Sequence, residues 1–389
     1  MTHKIKLATV CQQIRGVSYT PKDMAEIPTE GYIPILRANN IQEKLVFNEL
    51  VYVNANKISE IQLLKGGDIV VCASSGSKNL VGKAVRFVSS PVDQVSFGAF
   101  CKVVRPRNID ASYLSHFFNS SYYRNTISKI AQGASINNIR NEHLDNLDIN
   151  VPTPSEQKRI AERLDKVQEL IAKQKEQIAK LDLLIKSRFL DMFGDPISNP
   201  KKWVMKKLKE CARTNLSYGS GAKAVNYNGT VRYIRITDID NQGLLNKEKK
   251  SPSIFEEKYL LHQGDLLFAR TGATVGKTFL YDKKYGMSVY AGYLIRFVPK
   301  IDLCHPLFVF YFTHTDYYKQ FVLDKQKAVA QPNINAQEYG ELLIPLPPLS
   351  LQTQFTNFVK SVEQQKEVFS TRLSHFETLY KSLMQKYFG

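Results

Sequence analysis

The sequence has few cysteines and histidines, and neither residue type is arranged for metal binding. The five cysteines are an odd number, lie far apart and form no Cys-x-x-Cys pair, and the seven histidines show no HxxxH or HExxH spacing. Scattered cysteines favour free thiols in a reducing compartment, and a zinc site would need closely spaced ligands. We therefore expect neither disulfides nor a metal site.

Long apolar segments are also missing. The chain has no apolar run of about 18 residues, the length that a membrane helix needs. Its first twenty residues lack the apolar core and the small-residue cleavage site of a secretory signal. We expect a cytoplasmic protein that does not span a membrane.

No catalytic motif is complete. The run Gly272–Lys277 resembles a P-loop, but it has three residues between its glycines where a P-loop has four. The following Thr278–Tyr281 is typical of a strand, so no helix N-terminus would face the phosphates. Leu346-Pro-Pro-Leu349 lacks the polar first and aromatic last residues of the Asn/Asp-Pro-Pro-Tyr/Phe motif of amino methyltransferases. These absences predict a protein without catalytic activity and without a cofactor of its own.

The sequence does have abundant basic charge and enough apolar residues for more than one core. It has 389 residues, of which 43% are hydrophobic, and this length suggests two or three domains. The formal net charge is +17. An excess of this size indicates a polyanionic partner, most often nucleic acid, although a basic protein without a nucleic-acid role is the alternative.

The chain contains an internal repeat with an offset near 195 residues. Similar dipeptides recur in the same order in both halves, and the offset changes only by small insertions. The matched pairs are Tyr32-Ile33 with Tyr233-Ile234, Gly67-Asp68 with Gly264-Asp265, Gly82-Lys83 with Gly276-Lys277, Asn138-Ile139 with Asn333-Ile334, and Phe193-Gly194 with Phe388-Gly389. The repeat predicts an α+β protein made of two similar halves.

Each half is expected to contain a globular domain followed by one long helix. The predicted boundaries are 1–151 and 195–346 for the two domains, and 152–194 and 347–389 for the two helices. Short β-like runs separated by glycine turns predict strands in each domain, and the apolar stretches Tyr113–Ile130 and Pro306–Val322 predict helices. The predicted strands are Tyr32–Leu36, Asp68–Cys72, Ala84–Val88, Phe100–Val104, Val231–Ile236, Asp265–Ala269, Thr278–Tyr281 and Tyr293–Val298.

The long helices carry a coiled-coil pattern. Ser155 is the predicted N-cap of the first helix, and apolar residues then recur in alternating steps of four and three. This seam comprises Ile160, Leu164, Val167, Ile171, Ile178, Leu181, Ile185 and Met192 in the first helix, with Gln174 and Arg188 as polar members, and Phe355, Val359, Val362, Phe369, Leu373, Phe376, Tyr380, Leu383 and Tyr387 in the second, with Lys366 as its polar member. We expect the helices to pair as an antiparallel coiled coil. The alternative is that each helix only covers its own domain.

Charge and side-chain type indicate where nucleic acid would bind. Each long helix is nearly neutral, with a net charge of +2, so most of the excess charge lies on the globular domains. Arginine, lysine, amide and hydroxyl side chains that follow the predicted strands are suited to phosphates and base edges. The candidate DNA-binding residues are Arg37, Asn39, Asn40, Ser74, Ser75, Lys78, Lys83, Asn137 and Arg140 in the first half, and Arg235, Thr237, Arg270, Thr271, Thr274, Lys277, Gln331 and Asn335 in the second.

Two alternatives apply to these residues. The turns around Ser74 and Arg270 could be structural hairpins with incidental polar side chains. Asn138 and Asn333 recur in both halves, so a structural or backbone-binding role suits them better than base reading, which should differ between two domains of different sequence.

Several motifs together resemble the specificity subunits of type I restriction–modification systems, and the resemblance covers the whole chain. The motifs that carry it are Pro152–Ile160 and Leu346–Gln352 at the start of the long helices, Gly67–Gly76 and Gly264–Lys277 in the domains, Ala330–Ile334, and Arg188–Gly194. The first half departs from the pattern by having Gly133-Ala-Ser-Ile-Asn-Asn138 where the second has Ala328-Val-Ala-Gln-Pro-Asn333.

The resemblance implies a non-catalytic subunit that reads a bipartite double-stranded DNA site, with one half-site for each domain. It also implies two modification subunits as partners, which methylate adenine at N6 using S-adenosylmethionine, and restriction subunits that use ATP and Mg²⁺. Because the two domains differ in sequence, we expect an asymmetric site. The competing readings are a coiled-coil tether whose domains bind proteins or a membrane, and a nuclease or NTPase.

Overall fold

The computed structural model describes residues 3–76, 80–133, 138–327 and 333–389. The chain forms two compact units: one comprises residues up to Lys175 together with Thr371–Gly389, and the other comprises Glu176–Ser370. Within the described residues, none of the helices combines the length and hydropathy that a membrane crossing requires. The architecture is α+β, as the sequence predicts.

The globular part of the first unit is built mainly from two four-stranded sheets. One has the strand order β2-β9-β6-β7 and the other β3-β5-β4-β8, while β1 pairs with β10 in a separate two-stranded ribbon. The strands are β1 (His3–Lys6), β2 (Cys11–Arg15), β3 (Met24–Ala25), β4 (Tyr32–Leu36), β5 (Val51–Asn54), β6 (Ile69–Cys72), β7 (Ala84–Arg86), β8 (Ser96–Phe97), β9 (Cys101–Pro106) and β10 (Asp148–Val151). Strand β6 is buried along its whole length, which explains its continuous apolar run.

The globular part of the second unit repeats the central sheet. Its strand order, β12-β19-β16-β17, corresponds to β2-β9-β6-β7, and the remaining strands form the pairs β11-β20, β13-β15 and β14-β18. The strands are β11 (Val204–Lys207), β12 (Ser217–Tyr218), β13 (Ala224–Asn226), β14 (Arg232–Ile234), β15 (Lys250–Pro252), β16 (Leu266–Ala269), β17 (Thr278–Leu280), β18 (Ser288–Tyr290), β19 (Leu294–Phe297) and β20 (Leu343–Leu346). The shared order confirms the internal repeat.

Short helices follow the central sheet in both units. They are α1 (Ala111–Phe117), α2 (Ser121–Gly133) and α3 (Asn141–Asp145) in the first, and α5 (Pro306–Phe312), α6 (Asp316–Lys327) and α7 (Ala336–Gly340) in the second. The sequence predicted one helix over Tyr113–Ile130 and one over Pro306–Val322, and each is divided in two. In the second unit the division falls at Thr313, whose hydroxyl donates to the Phe310 carbonyl and competes with the helical backbone.

The two long helices are α4 (Pro154–Phe193) and α8 (Leu349–Phe388), each of 40 residues. The predicted N-cap of α4 was wrong by two residues, because Ser155 lies inside the helix. Thr153 occupies the capping position instead, and its hydroxyl accepts from the Glu156 backbone N–H at 3.4 Å. Pro154 suits the first helical position, where a missing N–H costs no hydrogen bond.

Segments of the two helices pack antiparallel within each unit. In the first unit the Arg163 side chain donates to the Tyr387 hydroxyl, and the Gln168 side chain donates to the Tyr380 hydroxyl. A later residue of α4 thus contacts an earlier residue of α8, so the two segments run in opposite directions.

The same direction holds in the second unit. There Asp182 pairs with Lys366 at 2.7 Å, and the ring of Phe189 meets that of Phe355. Lys366, the polar member of the predicted seam, is thus neutralised by a carboxylate of the opposite helix.

The members of the predicted seam are buried or half-buried, with one exception. Arg188 is exposed and pairs with Asp191, while Phe189 and Phe193 face the core beside Met192. An α-helix drifts from a 3.5-residue period over several turns, so the buried stripe has moved by one residue near the end of α4. Gln174 is buried, and its side-chain oxygen has no hydrogen-bond partner among the described residues.

The helix ends also belong to the cores of the globular parts. Ile160, Leu164 and Phe388 lie in the main core of the first unit. Phe189 and Phe355 lie in that of the second, where Phe189 stacks on Phe308 at 5.6 Å between ring centroids. The two alternatives drawn from the sequence are therefore both partly correct, since each helix pairs with the other and also covers a domain.

We predict that Phe189→Ala destabilises the second unit by about 3–5 kcal/mol, the usual cost of removing a buried aromatic ring. Phe189 is 2% exposed, and the neighbouring Leu190 is 47% exposed, so Leu190→Ala is the matched control and should change stability little. Trp203, the one tryptophan of the chain, donates to the Phe193 carbonyl and reports on this unit. Urea unfolding followed by its fluorescence measures both variants. Equal losses for the two would contradict the packing described here.

Candidate nucleic-acid interface

The same backbone bridge brings two sets of candidate residues together in each unit. In the first, the loop after β6 pairs with the segment before α3 through a bridge between Ser74 and Asn138. In the second, the loop after β16 pairs with the segment before α7 through a bridge between Thr271 and Asn333. The recurring asparagines thus mark a shared structural feature, in line with the structural role expected for them.

Backbone hydrogen bonds on both sides of the bridge fix these loops. The N–H of Ile139 donates to the Ala73 carbonyl at 2.8 Å, and that of Ile334 donates to the Arg270 carbonyl at 2.9 Å. In the second unit the buried hydroxyl of Tyr339 also donates to the Ala269 carbonyl. The described backbone on either side of each bridge is therefore held in place by hydrogen bonds, and preorganisation of this kind lowers the entropy cost of binding.

Arg270 is the best-positioned basic side chain at this place. Its guanidinium lies 4.8 Å from the centre of the Tyr218 ring, and its Nε donates to the Asn333 side-chain oxygen at 3.3 Å. Stacking on an aromatic ring holds a guanidinium in one plane while leaving further N–H groups available. Such a planar group suits bidentate contact with a phosphate or a guanine edge.

The second candidate group follows β4, and the structure divides it. Asn39 is exposed, whereas Asn40 is 1% exposed, and the two N–H bonds of its side-chain amide go to the carbonyls of Val46 and Asn48. Its oxygen accepts from the Arg37 backbone N–H at 2.8 Å. Asn40 is therefore removed from the candidate DNA-binding residues, because its polar atoms are fully used inside the fold.

The equivalent position after β14 is occupied by Asp238, which is also buried. Its carboxylate accepts from both Nε and Nη2 of Arg235, and this hydrogen bonding raises the pKa of Arg235. The guanidinium is thus engaged by an internal carboxylate, which makes Arg235 a weaker candidate than the sequence suggested. Thr237 is exposed.

The remaining candidates differ in how free their side chains are. Arg140 is exposed beside Glu142, and Ser74 and Lys83 are half-buried. Three other candidates have polar side-chain groups that already bond within the fold. The Lys277 ammonium donates to the Ile239 carbonyl, and the Thr274 hydroxyl donates to the Thr271 carbonyl. The Asn335 side-chain oxygen accepts from the Glu338 N–H as a helix cap. Ser75 is half-buried and has a partner within the fold. Lys78, Asn137 and Gln331 lie outside the described residues.

Sequence reasoning missed two features of the second unit. One is Tyr218, whose hydroxyl accepts from the Ala336 N–H and whose ring carries Arg270. The other is the ribbon of β13 and β15, in which every residue of β13 is exposed and Lys249 lies over the Tyr227 ring. The lysine-rich run 247–250 was the available signal for the ribbon, but a charge run alone does not distinguish a binding surface from a solvated loop.

The cysteine side chains lie in the protein interior. All five are buried and free, and burial raises the pKa of Cys11 and of Cys101 to about 12. Such thiols stay protonated at neutral pH. Among the residues that the structure describes, no group of three or more histidine, cysteine and acidic side chains converges on a common point.

Comparison with known proteins identifies the fold and its family. The family model described as the type I restriction modification DNA specificity domain matches twice, over residues 3–182 and 200–374. The chain is 30% identical to the EcoKI specificity subunit of Escherichia coli K12, over 98% of this chain and 87% of that protein. It is 29% identical to the StySPI specificity subunit of Salmonella potsdam, over 97% and 86% of the two proteins.

A solved structure has a similar fold. The type I restriction–modification S subunit from M. genitalium superposes with a TM-score of 0.63 and covers 100% of this chain and 96% of its own. Only 15% of the aligned residues are identical, so this likeness concerns the fold alone.

We predict that Asn40→Ala lowers the stability of the protein and that Asn39→Ala hardly changes it. Asn40→Ala leaves buried carbonyls without donors and should cost about 1–3 kcal/mol of stability, seen as a lower melting temperature. Asn39→Ala, at an exposed neighbouring position, should change stability by less than about 0.5 kcal/mol. If DNA binding is affected by Asn39→Ala at an unchanged melting temperature, the side chain acts at the interface. A stable Asn40→Ala variant would refute the internal role.

Proposed function

Because the chain belongs to the family of type I restriction–modification DNA specificity subunits, we propose that each of its two globular parts reads one half of a bipartite double-stranded DNA site. The chain is the non-catalytic recognition component of the complex. It holds the DNA-reading side chains, and its partner subunits carry out methylation and cleavage.

The duplicated bridge is the observation that carries the proposal. Two loops with the same backbone hydrogen bonds differ beside the bridge: Arg270 of the second unit stands where the first unit has Ala73, while Ser74 corresponds to Thr271 and Asn138 to Asn333. A guanidinium can contact a guanine edge or a phosphate, and a methyl group cannot. This difference between otherwise matching loops supports two different half-sites, and therefore an asymmetric target.

The net charge of +17 supports a large contribution from phosphate contacts. Basic side chains that neutralise phosphates release counterions, so binding of this kind weakens steeply as salt rises. A tether that binds proteins through apolar contacts would show little salt dependence. The charge thus favours DNA over protein partners that are bound through apolar contacts.

The partners follow from the family. We propose that two modification subunits dock on this chain and supply S-adenosylmethionine for adenine N6 methylation. Restriction subunits with ATP and Mg²⁺ would join the same complex in the cytoplasm. Under this proposal the chain itself needs no cofactor.

The proposal predicts the pattern of methylation in DNA modified by this chain together with its modification subunits. Single-molecule mapping should find N6-methyladenine in an asymmetric site of two short half-sites separated by a fixed gap. Co-expression without this chain is the control and should give no such site. An uninterrupted motif would mean that only one globular part reads DNA. The absence of methylation in a verified complex would refute the assigned function.

We predict that Arg270→Ala affects one half-site only. Losing a base-directed guanidinium should weaken binding by about 1–3 kcal/mol. DNA in which each mapped half-site is scrambled in turn separates the effects. Scrambling the half-site that Arg270 contacts should cost the variant less than it costs the wild type, while scrambling the other should cost both the same. Lys207→Ala, which removes a charge paired with Glu341 at the β11-β20 ribbon, is the control. Equal loss on both half-sites would contradict the assignment.

A further inference from the structure

An exposed aromatic ring occupies the same position in both units. Phe100 is 68% exposed and Tyr293 is 61% exposed, although both stand beside strands whose other apolar residues are buried. Leaving one large ring in water is common at protein surfaces. Its occurrence at equivalent places in two halves with different sequences calls for a shared use.

The equivalence is set by matching backbone hydrogen bonds. The turn from Gly98 to Cys101 is closed by a bond from the Cys101 N–H to the Gly98 carbonyl, and the turn from Ala291 to Leu294 is closed in the same way, each at 2.8 Å. Phe100 and Tyr293 are therefore the third residues of two corresponding turns. The first residue of each turn also donates its backbone N–H to a neighbouring strand. Gly98 donates to the Leu36 carbonyl of β4, and Ala291 donates to the Ile234 carbonyl of β14.

The aromatic turns are joined to the loops that carry the candidate DNA contacts. The Phe100 carbonyl accepts from the N–H groups of Ala73 and Ser74 at 2.9 and 3.0 Å, and the Tyr293 carbonyl accepts from the Arg270 N–H at 3.1 Å. The ring and the polar loop are thus fixed to each other by backbone bonds. The backbone that carries Ser74 or Arg270 is therefore directly bonded to the residue that carries the exposed ring.

The chemistry of the ring fits a nucleic acid. In a duplex the base faces are covered by neighbouring bases, but an aromatic side chain can pack on the apolar sugar surface of any nucleotide or wedge between two base steps. Neither contact requires a particular sequence. This tolerance explains why an aromatic residue occupies the position in both units while the neighbouring polar side chains differ. The exchange of Phe for Tyr keeps the π-face and changes only the hydroxyl.

We propose that Phe100 and Tyr293 are DNA-contacting residues that pack against nucleotides within their respective half-sites. Each ring supplies a sequence-tolerant apolar contact beside the polar groups that select bases. This inference rests on the proposed function and adds to it a pair of positioning contacts, one for each half-site.

The test uses the complex with the modification subunits and DNA that carries the mapped site. Phe100→Ala and Tyr293→Ala should each weaken binding about tenfold, a typical effect of removing one base-stacking ring. Because the contact tolerates any sequence, each loss should persist when either half-site is scrambled. Phe100→Tyr and Tyr293→Phe should bind like the wild type, because the aromatic face remains. 2-Aminopurine placed at successive positions should report the ring through a fluorescence change that the alanine variants abolish.

Ile27→Ala and Ile301→Ala are the controls, because these side chains are similarly exposed in the same two units. Neither should change DNA binding, and all variants should melt like the wild type. Wild-type affinity and an unchanged 2-aminopurine signal in both alanine variants would overturn the inference while leaving the mapped bipartite site, and hence the proposed function, intact. Loss of subunit assembly with normal half-site discrimination would identify the rings as protein contacts and also overturn it.

Discussion

The structure depends on burying the apolar stripes of two long helices. In a folded protein an amphipathic helix gains most of its stability from packing its apolar face. Each helix therefore gives part of its stripe to the other helix and part to a globular core, as Phe189 does against Phe308 and Phe355. Because the same stripe serves both contacts, the globular part is held to the helix by core packing and not by a flexible connection.

The sequence predicted most of the regular structure because the fold is repeated and its apolar pattern is strong. Strand β4 was predicted with its observed bounds, and the seven other predicted strands agree within two residues at each end. The twelve remaining strands of the described residues were not predicted, and most of them have only two to four residues. Two departures at the helices have local causes. Thr313, whose hydroxyl donates to the Phe310 carbonyl, follows the end of one helix, and Thr153 caps a helix that the proline after it begins. Competition of this kind between side chain and backbone leaves no mark on apolar periodicity.

The candidate interface was less predictable. Residue type selected Asn39 and Asn40 together, but one is exposed and the other holds a loop through three hydrogen bonds. Arg235 and Arg270 looked equivalent, yet one is occupied by Asp238 and the other lies on Tyr218. These differences arise from residues distant along the chain or from an internal carboxylate, and only the tertiary fold shows which partner each side chain meets. Phe100 and Tyr293 begin corresponding predicted strands, but only the tertiary fold shows that both rings are exposed.

The ribbons β1-β10 and β11-β20 determine how the globular parts can be exchanged during evolution. In the second, Val204 faces Leu346 and Lys207 faces Leu343, so the chain enters and leaves the globular part on adjacent antiparallel strands. The first ribbon gives the same arrangement, with His3 opposite Val151. Everything between the two strands of a ribbon is thus an insert with neighbouring ends. Recombination at these strands could exchange one insert for another of different length while preserving the helix stripes, so new specificities can arise without rebuilding the scaffold.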